Sequence, residues 1–357
     1  MASTSVPAEP IEPRHAKGLT YPLGRFAPDA GAVHQIAPGV GWLRLPVPGS
    51  LKHINCWLLD DDDEHGAGVA VVDTGIDLPA TREAWNAALA GRRVTRVIVT
   101  HFHPDHIGCA GLLCDTHGVR LWMNRTEWLM ARMLTSDRRD APPPEAIAQS
   151  VGSGWTVEQV DALRARGWGN FAKMVTPLPA GHVRIREGDT IVTGKRRWRV
   201  WIGSGHSPEH VCLVDEAGDV MIAGDQVLPR ITSNVSLSII EPEGDPLGEW
   251  LASIDHLRAL PDTLLVLPGH GDPFFGLHAR LDALERGHDD SLDRLHAFIG
   301  EAPRRAVDCF TLLFGRAIED NILGLATGEA LAHLRRLEVT GRASRTERDG
   351  TWYFSAR

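Results

Sequence analysis

The 357-residue chain has no uninterrupted apolar run near the ~18–20 residues a membrane helix needs. Its first residues, MASTSVPAEPIEPRHAKG, are rich in proline and polar side chains and lack the apolar centre of an export signal. No membrane partner is expected, and a cytoplasmic location is. Cysteine is sparse: the five residues, Cys56, Cys109, Cys114, Cys212 and Cys309, form no C-x-x-C pair. That argues against a disulfide framework and a thiolate zinc knuckle, and an odd number of scattered thiols suits a reducing compartment. Positive charge is also short. Lysine and arginine total 37 against 46 acidic residues, a formal net charge of −9, which disfavours nucleic acid as a partner. There is no internal repeat and no low-complexity tract except the acidic cluster Asp60 to Glu64, read as a solvated hairpin loop.

Hydrophobic residues make up 43% of the chain and charged residues 23%, the balance of an ordinary globular protein with a large core. Short apolar runs such as GVAVVDTG and VTRVIVT alternate with helical periods such as LPATREAWNAALAG, which predicts an α/β architecture. Residues 1–30 read as an extended or disordered leader, and residues 31–300 as the main domain. Between about 125 and 173, helical patterns broken by proline and glycine predict an insertion lying over the strand ends, placed to wall a substrate pocket. A helix over about 276–299 should close the main domain. Residues 301–357 then read as a helix followed by a hairpin turning at Arg348-Asp349-Gly350, a winged-helix-like pattern.

Four apolar strands end in polar loops carrying histidine or aspartate: VIVTHFHPDH, VWIGSGHSPEH, VMIAGDQ and LLVLPGHGDP. If their carboxyl ends share one rim, the imidazoles and carboxylates converge. Such a cluster is costly to desolvate without protons or metal between its members. Zinc accepts imidazole nitrogen and carboxylate oxygen at about 2.0–2.2 Å.

These motifs, with the Asp73-Thr74-Gly75 turn before them, resemble the metallo-β-lactamase-fold hydrolases over roughly residues 33–299. The resemblance implies a four-layer αββα sandwich with two divalent metal ions, zinc foremost and iron or manganese as alternatives. It assigns His101, His103 and His206 to one metal, Asp105, His106 and His270 to the other, and Asp225 to both. It also implies a metal-bound hydroxide as nucleophile, steered by Asp105. Asp225 stands where a thiolate subgroup carries cysteine, and His103 and His106 are both kept, so hydrolysis is favoured over redox chemistry. Asp73 and His210 are expected to hold ligands from behind. Gly108 and Gly111 read as points of close helix packing, and His53 and Asn55 as pocket or hairpin residues. Arg230 and Asn234, just after Asp225, are candidates to hold a polar end of the substrate.

The favoured substrate is a small-molecule thioester, ester or lactone. A phosphodiesterase or endoribonuclease is the alternative, because family members of that kind carry a tail similar to this one with Arg335, Arg336, Arg342, Arg345 and Arg348. The net charge weighs against it, as does the short stretch between Asp225 and His270. A non-catalytic metal-binding or ligand-sensing role is the third reading. A homodimer is left open, with the tail packed either on the site or on a second subunit.

Overall fold

The computed structural model describes residues 12–357. The chain opens with a hairpin, β1 (Arg14–Ala16) and β2 (Leu19–Tyr21). Seven strands follow in one sheet, in chain order: β3 (Val33–Ala37), β4 (Val40–Pro46), β5 (His53–Asp63), β6 (Gly66–Val72), β7 (Val94–Ile98), β8 (Leu121–Asn124) and β9 (Val183–Ile185). Pairing is antiparallel from β3 to β6 and parallel from β6 to β9. The parallel crossovers carry α1 (Pro79–Ala88), the short α2 (Pro104–Ile107) and α3 (Ala110–His117). The predicted insertion is α4 (Arg125–Ser136), α5 (Pro144–Gly152) and α6 (Val157–Ala165), followed by a 3-10 turn at Asn170–Lys173.

A second sheet holds β10 (Thr190–Thr193), β11 (Arg196–Gly203), β12 (His210–Asp215), β13 (Val220–Gly224) and β14 (Leu265–Pro268), with α7 (Pro246–Leu257) before its last strand. The long α8 (Leu277–Glu301) comes next. A short α9 (Phe310–Phe314), α10 (Leu323–Val339) and the hairpin β15 (Ala343–Arg348) and β16 (Thr351–Ala356) complete the chain.

The period of two along the strands builds the layers. In β4, Val40 and Trp42 face the space between the sheets, and Leu43 and Leu45 face α1 and α3. In β13, Val220 and Ile222 face between the sheets, and Met221 and Ala223 join the core made with α7, α8 and α10. The result is the four-layer αββα sandwich. Leu334 and Leu337 of α10 share one core with Leu281 and Leu295 of α8, so the tail is packed against the main body.

Two expectations need amending. Residues 14–21 are not a loose leader: Leu19 and Tyr21 are each 2% exposed, and Thr20 pairs with Phe275. The remainder of that reading, residues 1–11, lies outside the described residues. The acidic hairpin does turn after Asp63, but Asp61 is buried against Arg96 at 2.8 Å instead of facing water.

Where α8 meets α10, His288 and His333 lie side by side, Nδ1 to Nε2 at 3.3 Å, both buried. Burial first, then His333 and Arg280, lower the pKa of His288 to about 3. Burial likewise lowers that of His333. Unfolding lets each accept a proton near 6.5, so their stabilising contribution is full above that value and declines as pH falls towards 3. Wild type should therefore lose roughly 1.6 kcal/mol more in total than His288→Leu between pH 6.5 and 5. Urea denaturation of the two proteins at both pH values measures the difference, and parallel curves would contradict the assignment.

Candidate metal centre

β7 is buried, and its extension Val99-Thr100-His101 ends at the rim of the sheet. Asp73, at the end of β6, holds a left-handed backbone (φ 60°) that aims its carboxylate across the strand ends. Its oxygens accept from Thr100 N at 2.8 Å, from Thr100 Oγ1 at 2.9 Å and from His106 Nδ1 at 2.8 Å. That hydrogen bond fixes the proton of His106 on Nδ1 and leaves Nε2 as a free lone pair. Pro104 opens α2 and sets φ for the turn that carries Asp105 and His106.

The other imidazoles are oriented in the same manner. His206 Nδ1 donates to Asn234 O at 2.7 Å, and His270 Nδ1 donates to His53 O at 2.7 Å. Their Nε2 atoms therefore point inward. His101 Nε2 lies 3.0 Å from His103 Nδ1 and 3.3 Å from His206 Nε2. Beside this trio, His270 Nε2 is 3.1 Å from Asp105 Oδ2. Asp225 sits between the two groups: Oδ1 is 3.4 Å from His106 Nε2, and Oδ2 is 3.5 Å from His270 and 3.6 Å from His206. Gly269 leaves room for this carboxylate, because a Cβ there would overlap Asp225 Oδ1.

The two groups differ electrically. Burial keeps the trio neutral: with neighbouring imidazoles it lowers His103 to about 3 and His101 well below its usual value, and it lowers His206 against the pull of Asp225. In the second group burial opposes the cation, yet Asp225 and Asp105 together raise His270 to about 10. Burial would raise Asp105 too, but His106 and His270 outweigh it and bring it down to about 2. Carboxylates there call for positive charge at the centre. His106 Nε2, His270 Nε2 and Asp225 Oδ1 are all buried and form no hydrogen bond. Native proteins rarely leave such atoms orphaned, and nitrogen and oxygen lone pairs converging within 4.8 Å are what a divalent cation needs. The residues fit metal.

The sequence model of the metallo-β-lactamase superfamily matches residues 49–270, spanning every one of these ligands. The chain belongs to that superfamily. A model described as the metallo-β-lactamase-like C-terminal domain matches residues 292–357, which include the tail. A β-lactamase domain protein from Burkholderia ambifaria is similar in structure, with a TM-score of 0.87 and 38% identity over 95% of this chain and 98% of that one. The probable metallo-hydrolase YqjP of Bacillus subtilis is 23% identical, covering 87% of this chain and 96% of its own. The acyl-coenzyme A thioesterase MBLAC2 of Gallus gallus is 26% identical over 67% of this chain and 80% of its own. The protein is a member of the metallo-hydrolases, and no helix among its described residues is long and apolar enough to cross a membrane.

In this metallo-hydrolase the residues expected behind the ligands act as supports. Asp73 orients His106, and His210 Nε2 accepts from Asp225 N at 3.0 Å, fixing the start of that loop. His53 and Asn55 belong behind His270. Asn55 is fully buried and donates to both Pro268 O (2.9 Å) and Gly271 O (2.8 Å), tying the PGHG loop to β5. Arg230 departs from expectation. Its side chain is 58% exposed, paired with Asp272 at 2.8 Å, and it does not line the cavity beside the ligands. Chain proximity to Asp225 did not set its direction, because Asp272 and the ring of Tyr21 draw it outward. Asn234 does reach the cavity, but its side-chain amide donates to Glu329 at 2.9 Å, so its role toward His206 is carried by its backbone carbonyl.

One support escaped the sequence reading. Glu127, buried on α4, accepts from Phe102 N at 2.9 Å, Ser207 Oγ at 2.8 Å and Glu209 N at 2.7 Å. It therefore clamps the loop of His101 and His103 to the loop of His206. Burial raises its pKa to about 7 against the pull of these three donors. The available signal was a carboxylate four residues before Ala131 on the buried face of the helix. Glu127→Ala strands buried N–H groups at about 1–3 kcal/mol each. It should weaken metal binding roughly 10–100-fold. Competition against a chromophoric chelator reads that loss, and an unchanged affinity would remove Glu127 from the supports.

Proposed function

We propose that this protein is a dinuclear-metal-dependent hydrolase acting on a small-molecule thioester, ester or lactone. The observation that carries the reading is the pair of donor groups sharing Asp225, set beside a cavity of about 310 Å³ that opens at His103 and His206. His101, His103 and His206 would hold one ion, and Asp105, His106 and His270 the other. Zinc matches this nitrogen and oxygen set. When bound, such ions supply Lewis acidity and lower the pKa of water from 15.7 to ~7.

The protein's own groups do the rest. Asp105, kept ionised beside His106 and His270, accepts a hydrogen bond from the attacking water and turns a lone pair toward the substrate carbonyl. Asp73, Asn234 and His53 keep the imidazole lone pairs aimed at the reacting centre, so little reorganisation accompanies the attack. The likeness to an acyl-coenzyme A thioesterase supports an acyl substrate. The tail arginines give little support to nucleic acid. Arg335, Arg336 and Arg342 are engaged by Glu243, Asp245 and Asp293 at 3.0, 2.7 and 2.7 Å.

The test joins metal analysis to a substrate panel. Protein purified without chelator should carry about two metal ions per chain and hydrolyse an acyl thioester or a lactone. Fewer ions would end the dinuclear reading. Activity confined to a phosphodiester or single-stranded RNA, falling steeply with salt, would overturn the substrate class.

A further inference from the structure

The cavity beside the metal centre has three walls from distant parts of the chain. Phe102 and His206 lie toward the ligands, Met130 and Gln149 come from the insertion, and Leu325 comes from α10. The segment from Asn234 to Glu249 closes the far side. That segment is anchored: Leu237 N donates to Gly328 O at 2.9 Å, and a Cβ on Gly328 would press on Ser236 at 2.8 Å. The segment is therefore tied to α10, which forms one of the walls.

Two features of the lining point to a ligand. Leu325 is 60% exposed and Ile240 is 42% exposed, so large apolar side chains face an open cavity with nothing packed on them. Apolar surface that folding leaves uncovered inside a cleft is a common mark of a binding site. The charge is also one-sided. Glu241, Asp245 and Glu249 line the far end, and no lysine or arginine does among the described residues. Arg336 neutralises Asp245 at 2.7 Å, which leaves Glu241 and Glu249 without an ion pair. Burial, then Glu241 and Asp245, raise the pKa of Glu249.

We infer that the cavity receives an uncharged, apolar acyl group and disfavours acyl groups that end in a carboxylate. This rests on the hydrolase reading above. A bulky anionic leaving group, such as a nucleotide-bearing thiol, is disfavoured by this acidic lining and stays on the solvent side of the metal centre. The acyl chain runs over Phe102 and Met130 toward Leu325 and Ile240. A terminal carboxylate would arrive beside Glu241 and Glu249, both exposed, and meet a solvent-screened like-charge repulsion.

The test compares thioesters of one small neutral thiol, N-acetylcysteamine, bearing acetyl, hexanoyl or adipoyl groups, with thiol release as the signal. Hexanoyl and adipoyl have the same length and differ in the terminal charge. On the metal-loaded protein, kcat/KM for hexanoyl should exceed that for adipoyl by about tenfold or more. The Glu241→Gln, Glu249→Gln double variant should narrow that ratio at least fivefold, and Leu325→Ser should remove the preference for hexanoyl over acetyl. Equal rates for hexanoyl and adipoyl, or a preference for adipoyl, would overturn the inference while the hydrolase reading stands. If metal-loaded protein cleaves none of the three, calorimetry with neutral amides of rising chain length reads the cavity on its own. Affinity that rises from acetamide to hexanamide and is lost in Leu325→Ser keeps the acyl pocket and rejects the hydrolase, whereas no rise rejects the pocket as well.

Discussion

Asp225→Asn is expected to lower kcat/KM by about 10³-fold or more, beyond the 10–100-fold typical of residues that only support a ligand. The substitution keeps the size of the side chain. It also leaves the backbone contacts of the loop untouched: Asp225 N still donates to His210, and Ser233 Oγ still donates to Asp225 O. What is lost is the charge shared by His106, His206 and His270. Without it one carboxylate, Asp105, is left between the imidazoles of the second group, and the hold on the second ion weakens most. Metal analysis should show the content falling from about two ions towards one. Activity within tenfold of wild type would remove Asp225 from the catalytic centre.

Gly111→Ala should cost more than about 4 kcal/mol, the range reserved for substitutions that force backbone apart. A Cβ at this position in α3 would overlap the carbonyl oxygen of Pro177. The neighbouring contacts leave no slack: Thr176 N donates to Gly108 O at 2.7 Å, and Thr176 Oγ1 accepts from Leu112 N at 3.1 Å. This is where the chain, returning from the insertion, docks behind the HFHPDH loop. Gly287 serves as the control. It lies within α8, where a Cβ meets nothing within 4 Å, so Gly287→Ala should stabilise by up to roughly 1 kcal/mol through helix propensity alone. Chemical denaturation of both variants beside wild type tests the pair, and similar stabilities would refute the close-packing argument.

The candidate metal-binding residues were legible because each follows an apolar run whose loop joins one rim, and the resemblance to the family then divided them between two ions. Gly108 and Gly111 were legible for a related reason, since a helix starting directly after a ligand loop needs close approach. Asp73 and His210 could be placed behind ligands by motif. Glu127 could not, because its partners Phe102, Ser207 and Glu209 come together only when β7 and the loop after β11 reach the same rim. Arg230 misled for the opposite reason. It is close to Asp225 along the chain, but direction is decided by Asp272 on another loop. The tail was readable as a helix and a hairpin. That α10 presents Gly324, Leu325 and Gly328 to the cavity depends on packing against α7 and α8 that no local pattern encodes.

The insertion and the tail also touch each other directly. Trp155 Nε1 donates to Thr327 Oγ1 at 2.9 Å, Val307 N donates to Ser153 O at 3.2 Å, and Gly152 lies flush against the indole of Trp352. Neither segment supplies a metal ligand, yet together they form a collar around the mouth of the site. Part of the cavity wall and the candidate metal-binding residues thereby come from separate stretches of the chain, while the 234–249 segment supplies the rest of the wall. Exchanging the collar between relatives, both halves at once so that the Trp155 and Trp352 contacts survive, would alter the cavity wall without touching the seven candidate metal-binding residues.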